Sequence, residues 1–406
     1  MNPLWQVSVA GWWSAGVGVA VLSACASATP ASHPEPAAVV APAEPMAAPD
    51  GPPRGTPIDL SEPGSSEQVA AEPERPEAVV TPPLPGSVRA RKPRSAAVIA
   101  TEVAALERLL TATQSTAPDR PVILKPLGDE YAELAAAFGL DGRAADEQSA
   151  HRKAVERYTT LKNHFPSFNG LDDALYSLGS EYLALGERDG ARMAWFELIQ
   201  EFPRSKLLPN AFAGFGDLFF EEAASDPSKL ALAKLSYLEV SKYPPPDNTV
   251  WGYAHYKLGW VYFKLSDFAT ALAEFGKVVE FGSQYPTLPG TSALVREARK
   301  DLVQAYARAG RPEVAWNFLR RYSGDTGSDD RHTVAMLSLL AKTYQQSGQS
   351  REAMQLIEDV ATSHGSQPAC QALSRLLGEL HRDSSVPGAA LARTEDRVRA
   401  ACSGRR

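Results

Sequence analysis

Between Leu127 and Val360 the chain writes one pattern six times: a hydrophobe, usually followed by glycine, an aromatic three residues on, an alanine, and a further large residue. The clearest copy runs Leu178-Gly179, Tyr182, Gly186, Ala191, Trp195, Leu198 and Pro203. Another runs Leu258-Gly259, Tyr262, Ala271, Phe275 and Val278. In both copies the alanine falls 12 residues after the glycine, and the next bulky residue four after that. Spacings of three and four put these side chains on one face of a helix, and each copy has room for two helices. Such a unit cannot bury its apolar face alone, so neighbouring units must stack.

The copies are not identical. Repeat one opens with Pro121, Leu127-Gly128 and Tyr131, but its alanine, Ala154, lies 26 residues after the glycine. The surplus implies either two longer helices or a long loop at Gly139 to Gly142. Repeat three (Phe215-Gly216, Phe219, Ala233, Tyr237, Val240) carries about five extra residues near Ser225-Asp226-Pro227. Repeats five (Leu302-Val303, Tyr306, Gly310, Ala315, Leu319) and six (Leu340-Ala341, Tyr344, Gly348, Ala353, Ile357) replace the glycine. Glycine and alanine at the close-approach positions let paired helices pack tightly. Gly186, Gly310 and Gly348 suit a positive-φ residue that ends a helix. The array therefore spans 121–365. Helical stretches at 368–381 and 389–401, within a C-terminal region 366–406, would cap its last face.

Upstream the composition changes. Of the 32 prolines, 16 lie between Ala26 and Val98, and no Phe, Trp or Tyr occurs from Ser14 to Glu130. A stretch so poor in aromatics cannot offset its chain entropy by burial, so 26–98 reads as a disordered Pro/Ala-rich tether. The basic group Arg89, Arg91, Lys92, Arg94 reads as a solvated charge run within it. Ile99, Val103, Leu106 and Leu110 then mark a short amphipathic helix at 99–112.

Leu4 to Leu22 is almost uninterruptedly apolar and ends in Leu22-Ser23-Ala24-Cys25. That reads as a secretory signal over 1–25. The last four residues resemble a bacterial lipobox, which implies lipidation of Cys25. Ala26 at the following position implies sorting to the outer membrane, the chain facing the periplasm. No Lys or Arg precedes the apolar run, so either translation starts upstream or the signal is a weak one; an uncleaved anchor is the rival reading. Cys370 and Cys402 remain as an even pair flanking the terminal helices. In an exported domain they either form a disulfide or are two unrelated thiols.

The net charge of −7 and pI near 5.6 argue against a nucleic-acid binder, which needs a clustered basic footprint. Catalytic signatures are absent: no His-Glu-x-x-His, Gly-x-Ser-x-Gly, phosphate-loop glycines or Cys-x-x-Cys. The seven histidines lack ligand spacing, and His255 reads as a packing histidine. No catalytic residue, cofactor, metal or small-molecule substrate is expected. In repeat four, the periodicity places Tyr253, Tyr256, Trp260 and Phe263 on the concave face, with Phe220 from the repeat before and Lys300 from the repeat after. Exposed aromatics flanked by charge concentrate interface energy. The competing reading packs Trp260 and its neighbours beneath the 222–232 insertion or a neighbouring loop.

The whole pattern is similar to the 34-residue tetratricopeptide repeat (TPR). That resemblance implies an all-α solenoid of about six helix-turn-helix units that binds proteins. The strings at 120–134, 252–280 and 296–310 resemble TPR lipoproteins of myxobacterial envelopes, including those of the adventurous-gliding machinery. More distantly the array resembles the periplasmic TPR domains of BamD and of YbgF-type proteins. These likenesses imply a non-enzymatic scaffold for cell-envelope proteins, held at the outer membrane by its lipid, in gliding motility. A coordinator of cell division or outer-membrane assembly, or a regulatory subunit of a peptidoglycan hydrolase, remains the alternative.

Overall fold

The computed structural model describes residues 94–382 and 388–403, so Cys25, the 1–25 segment and the tether up to residue 93 lie outside the described residues. The described residues contain fifteen α-helices, one 3-10 turn and no strand. A leading helix, α1 (Ala96–Ala112), is followed by six helix pairs. These are α2 (Arg120–Leu140) with α3 (Ala144–His164), α4 (Leu171–Ala184) with α5 (Arg188–Glu201), and α6 (Leu208–Glu222) with α7 (Lys229–Ser241). Then come α8 (Trp251–Lys264) with α9 (Phe268–Gln284), α10 (Thr291–Ala309) with α11 (Ala315–Ser323), and α12 (Arg331–Gln346) with α13 (Ser350–His364). Two closing helices follow, α14 (Gln367–Leu380) and α15 (Gly388–Cys402). Each helix packs on its partner and on the next pair, which makes an all-α solenoid.

The repeated glycine has a definite job. A Cβ added to Gly128, Gly179, Gly216 or Gly259 would come within 3.0 Å of the ring of Tyr158, Trp195, Tyr237 or Phe275, respectively. Each ring stands four residues after its repeat's alanine, and Ala154, Ala191, Ala233 and Ala271 are all fully buried. A bare backbone on the first helix thus receives an aromatic from the second. Trp195 is held on both sides: its indole N–H donates to the Tyr176 carbonyl at 3.1 Å, and Gly214 of the next repeat lies against its far edge. Repeats five and six solve the same contact differently. Val303 and Ala341 stand in for glycine, and Leu319 and Ile357 stand in for the ring; all four are buried in one core cluster. Volume gained on one helix is given up on the other, the substitution pattern that cores tolerate best.

The stretched first repeat puts its surplus into helix. Both α2 and α3 are 21 residues long and joined by residues 141–143, whereas α4 and α5 have 14 each. The third repeat's extra residues lengthen the link between α6 and α7 to 223–228. Two expectations need correction. Gly186 and Gly348 do adopt positive φ (77° and 74°), and Ser266 does so in repeat four, but Gly310 is extended at φ −83°, ψ 168°. Gly310 is instead needed because the Tyr306 ring packs against its Cα, leaving no room for a side chain. Nor is Arg94 part of a solvated run. Its guanidinium pairs with Glu102, Glu130 and Glu133, and α1 begins at Ala96, inside the stretch read as tether.

Candidate protein-binding groove

The first helices of successive repeats lie side by side: α6 touches α8, α8 touches α10, and α10 touches α12. α8 is the middle of this row, and every residue from Gly252 to Val261 on it is buried. A helix buried all round must pair whatever polar groups it carries. Two carboxylates from its neighbours do so. Asp217 of α6 accepts from the Tyr253 hydroxyl (2.8 Å), from the Tyr237 hydroxyl (2.6 Å), and pairs with Lys257 Nζ at 3.1 Å. Asp301 of α10 accepts from the Tyr256 hydroxyl (2.6 Å) and the Trp260 indole N–H (3.1 Å), both on the same oxygen.

The expectation of an exposed aromatic stripe is therefore corrected. Tyr253, Tyr256 and Trp260 keep only 3%, 2% and 8% of their surface exposed. Their polar ends bridge to helices on both sides, so the row is tied across three repeats by buried hydrogen bonds. Phe263 is half-buried, edge-on to Trp260 at 5.4 Å and to Phe268 at 5.1 Å. Phe220 is half-buried with the ammonium groups of Lys257 (4.6 Å) and Lys264 (5.5 Å) over its ring. Lys300 is more than half exposed and pairs with Glu297 at 3.1 Å. Of the six residues expected to form the groove, three brace it and three remain within reach of a partner.

Electrostatics follow from burial. Desolvation raises the Asp301 carboxyl to about 6, against the donors that favour its charge. On the other side of α8, His255 Nδ1 sits 2.5 Å from Glu274 Oε2, and Lys277 Nζ lies 2.8 Å from the other oxygen. Burial opposes charge on Glu274, yet these two donors hold its carboxyl below the ordinary value. His255 is thus a satisfied packing residue at Nδ1. Lys257 escaped the sequence reading. Its signal was present, since a lysine inside the string Tyr256-Lys257-Leu258-Gly259-Trp260 must find a counter-charge if the helix is covered.

The array's geometry has a counterpart among known families. A tetratricopeptide repeat family model matches residues 253–281, which are most of α8 and most of α9. This segment is similar to a tetratricopeptide repeat. The TPR unit so matched is the regular fourth copy, and the same glycine-to-ring contact recurs in the first three. No curated protein matches the chain. Cys370 and Cys402, 32 residues apart, form a disulfide between α14 and α15. Among the described residues there is no cluster of His, Cys, Asp or Glu that would hold a metal, and no helix long and apolar enough to cross a membrane.

Proposed function

We propose that this chain is a non-enzymatic scaffold that binds cell-envelope proteins along the row of first helices. The observation that carries the reading is the bracing of that row. Asp217 and Asp301 lock α6, α8 and α10 together through four donors of α8, which gives a pre-shaped surface that a partner need not order on binding. Phe220, Phe263 and Lys300 are its reachable contacts, suited to an amphipathic helix or extended peptide laid across the row. Lipid on Cys25 would tether the scaffold to the outer membrane, the array facing the periplasm. The resemblance to myxobacterial envelope lipoproteins points to gliding motility as the setting.

A photo-crosslinking residue placed at Lys300 in living cells tests this, with crosslinked proteins identified by mass spectrometry. The expected products are one or a few envelope proteins, lost on Phe220→Ala. Trp260→Ala serves as the structural comparison, since truncating a buried indole costs about 3–5 kcal/mol and unfolds the site rather than merely weakening a contact. Crosslinks spread over abundant bystanders and indifferent to Phe220 would sink the groove. A protein that stays soluble and unlabelled by radioactive palmitate, with Cys25 intact, would sink the anchor.

A further inference from the structure

Where repeat five departs from the regular pattern, a pocket opens. Gly310 and Arg311 run extended instead of turning through a left-handed residue, and the chain enters α11 by a 3-10 turn at Pro312–Val314. The Tyr306 hydroxyl donates to the Arg311 carbonyl at 2.8 Å and holds the loop there. The resulting cavity, about 320 Å³, lies between this loop and the first turn of α13. That volume is at the lower end of the ~300–1,000 Å³ range of small-ligand sites.

Its lining is rich in unused donors. Arg308, Arg311 and Arg351 border the cavity, and none of the three is in a salt bridge among the described residues. α13 starts at this wall without a side-chain cap, so its first N–H groups have no side-chain acceptor. Tyr344 also lines the cavity. It is 1% exposed, yet its hydroxyl has no hydrogen-bond partner. Burial, then Tyr306, and then the Glu352 and Glu313 carboxylates push its pKa up, so it stays a donor. Tyr344, Glu313 and Glu352 all border the cavity. A buried donor left unmade costs about 1–3 kcal/mol, a cost that a ligand accepting from it would remove.

We propose that this pocket binds an anionic group, a carboxylate or a phosphate, through Arg308, Arg311 and Arg351, with the Tyr344 hydroxyl as a further donor. Guanidinium forks match both groups, and an uncapped helix start adds its dipole. The carboxylates define the ligand further. Glu313 is occupied by the Gln355 amide at 2.7 Å, while Glu352, which also borders the cavity, is in no salt bridge among the described residues. The anionic group is therefore one carried beside a hydrogen-bond donor, as in an amino-acid or peptide terminus, rather than a bare multivalent ion. The site is separate from Phe220, Phe263 and Lys300, and it stands or falls independently of the groove.

Calorimetric titration of the full chain with glycine, acetate and inorganic phosphate, each at ionic strength matched with sodium chloride, tests the proposal. Saturable binding on the order of millimolar is expected for at least one of the three, glycine being favoured. Arg351→Ala should weaken it about tenfold or more, and Tyr344→Phe about fivefold or more. Tyr344→Phe should leave the melting temperature unchanged or raised, because it deletes an unpaired hydroxyl. Three results would overturn the proposal: no saturable heat with any probe, undiminished affinity in both variants, or a lowered melting temperature in Tyr344→Phe, which would show its hydroxyl already partnered. Binding of phosphate alone, with glycine and acetate silent, would overturn the terminus-like ligand.

Discussion

The buried carboxylate on α10 makes the sharpest test of how the row is held. Asp301 sits between α8 and α10, its charge opposed by desolvation, so the folded protein prefers it protonated. A carboxyl displaced from 3.8 to about 6 corresponds to about 3 kcal/mol at ~1.4 kcal/mol per pH unit. Solvent reaches part of the group, which brings the working figure to about 1–3 kcal/mol. Because the folded pKa is raised, the stabilising preference is fully present below the unfolded value near 3.8. It is lost as pH climbs to about 6, and above that the loss is complete. Asp301→Asn removes the titration but keeps an oxygen that can accept from both Tyr256 and Trp260. The variant should therefore match the parent near pH 4 and exceed it by about 1–3 kcal/mol near pH 7. Urea unfolding followed by circular dichroism at intervals between those pH values measures it, with hydrogen exchange on α8 and α10 as the local readout. Parallel pH profiles for the two proteins, or a variant less stable near pH 7, would refute the account of Asp301 as a desolvated carboxylate without a salt-bridge partner.

Two glycines should respond with opposite sign to alanine. Gly179→Ala drives a methyl into an indole that cannot retreat, since Trp195 is hydrogen-bonded to Tyr176 and backed by Gly214, and should cost about 1–3 kcal/mol by chemical unfolding. Gly378→Ala on α14 meets nothing within 4 Å and should gain up to about 1 kcal/mol from helix propensity; a loss there would contradict the reasoning. The Cys370–Cys402 disulfide closes a separation of 32 residues, worth about 4 kcal/mol in the chain-entropy account. Because a solenoid couples only neighbours, reduction should speed hydrogen exchange in α14 and α15 and leave α4 and α5 unchanged. Equal acceleration throughout would argue against that locality.

How much of this was legible beforehand depends on distance along the chain. The helix pairs were readable because a repeat writes its packing locally. Gly179 announces the place of Trp195, 16 residues on, and the same offset joins Gly259 to Phe275. The exchange of glycine and ring for Val303 with Leu319, and Ala341 with Ile357, was also in the sequence, visible once the two positions are known to touch. The candidate groove was less legible. Helical periodicity placed Tyr253, Tyr256 and Trp260 on one face of α8, but it carries no information about what covers that face.

Sequence by itself determined that residues 121–365 fold as an all-α stack of helix pairs, because the period of their glycines, alanines and rings sets which faces of paired helices must meet. Only the tertiary structure decided which aromatics are walls and which are contacts. Asp217 lies 36 residues before Tyr253, and Asp301 lies 41 after Trp260. Those pairings exist only after neighbouring repeats have docked. The same holds for the pocket beside Tyr344, where an extended Gly310 in one repeat and the start of α13 in the next make a cavity that neither segment encodes alone. Burial is a property of the assembled stack, so a local pattern can name the face but not its covering.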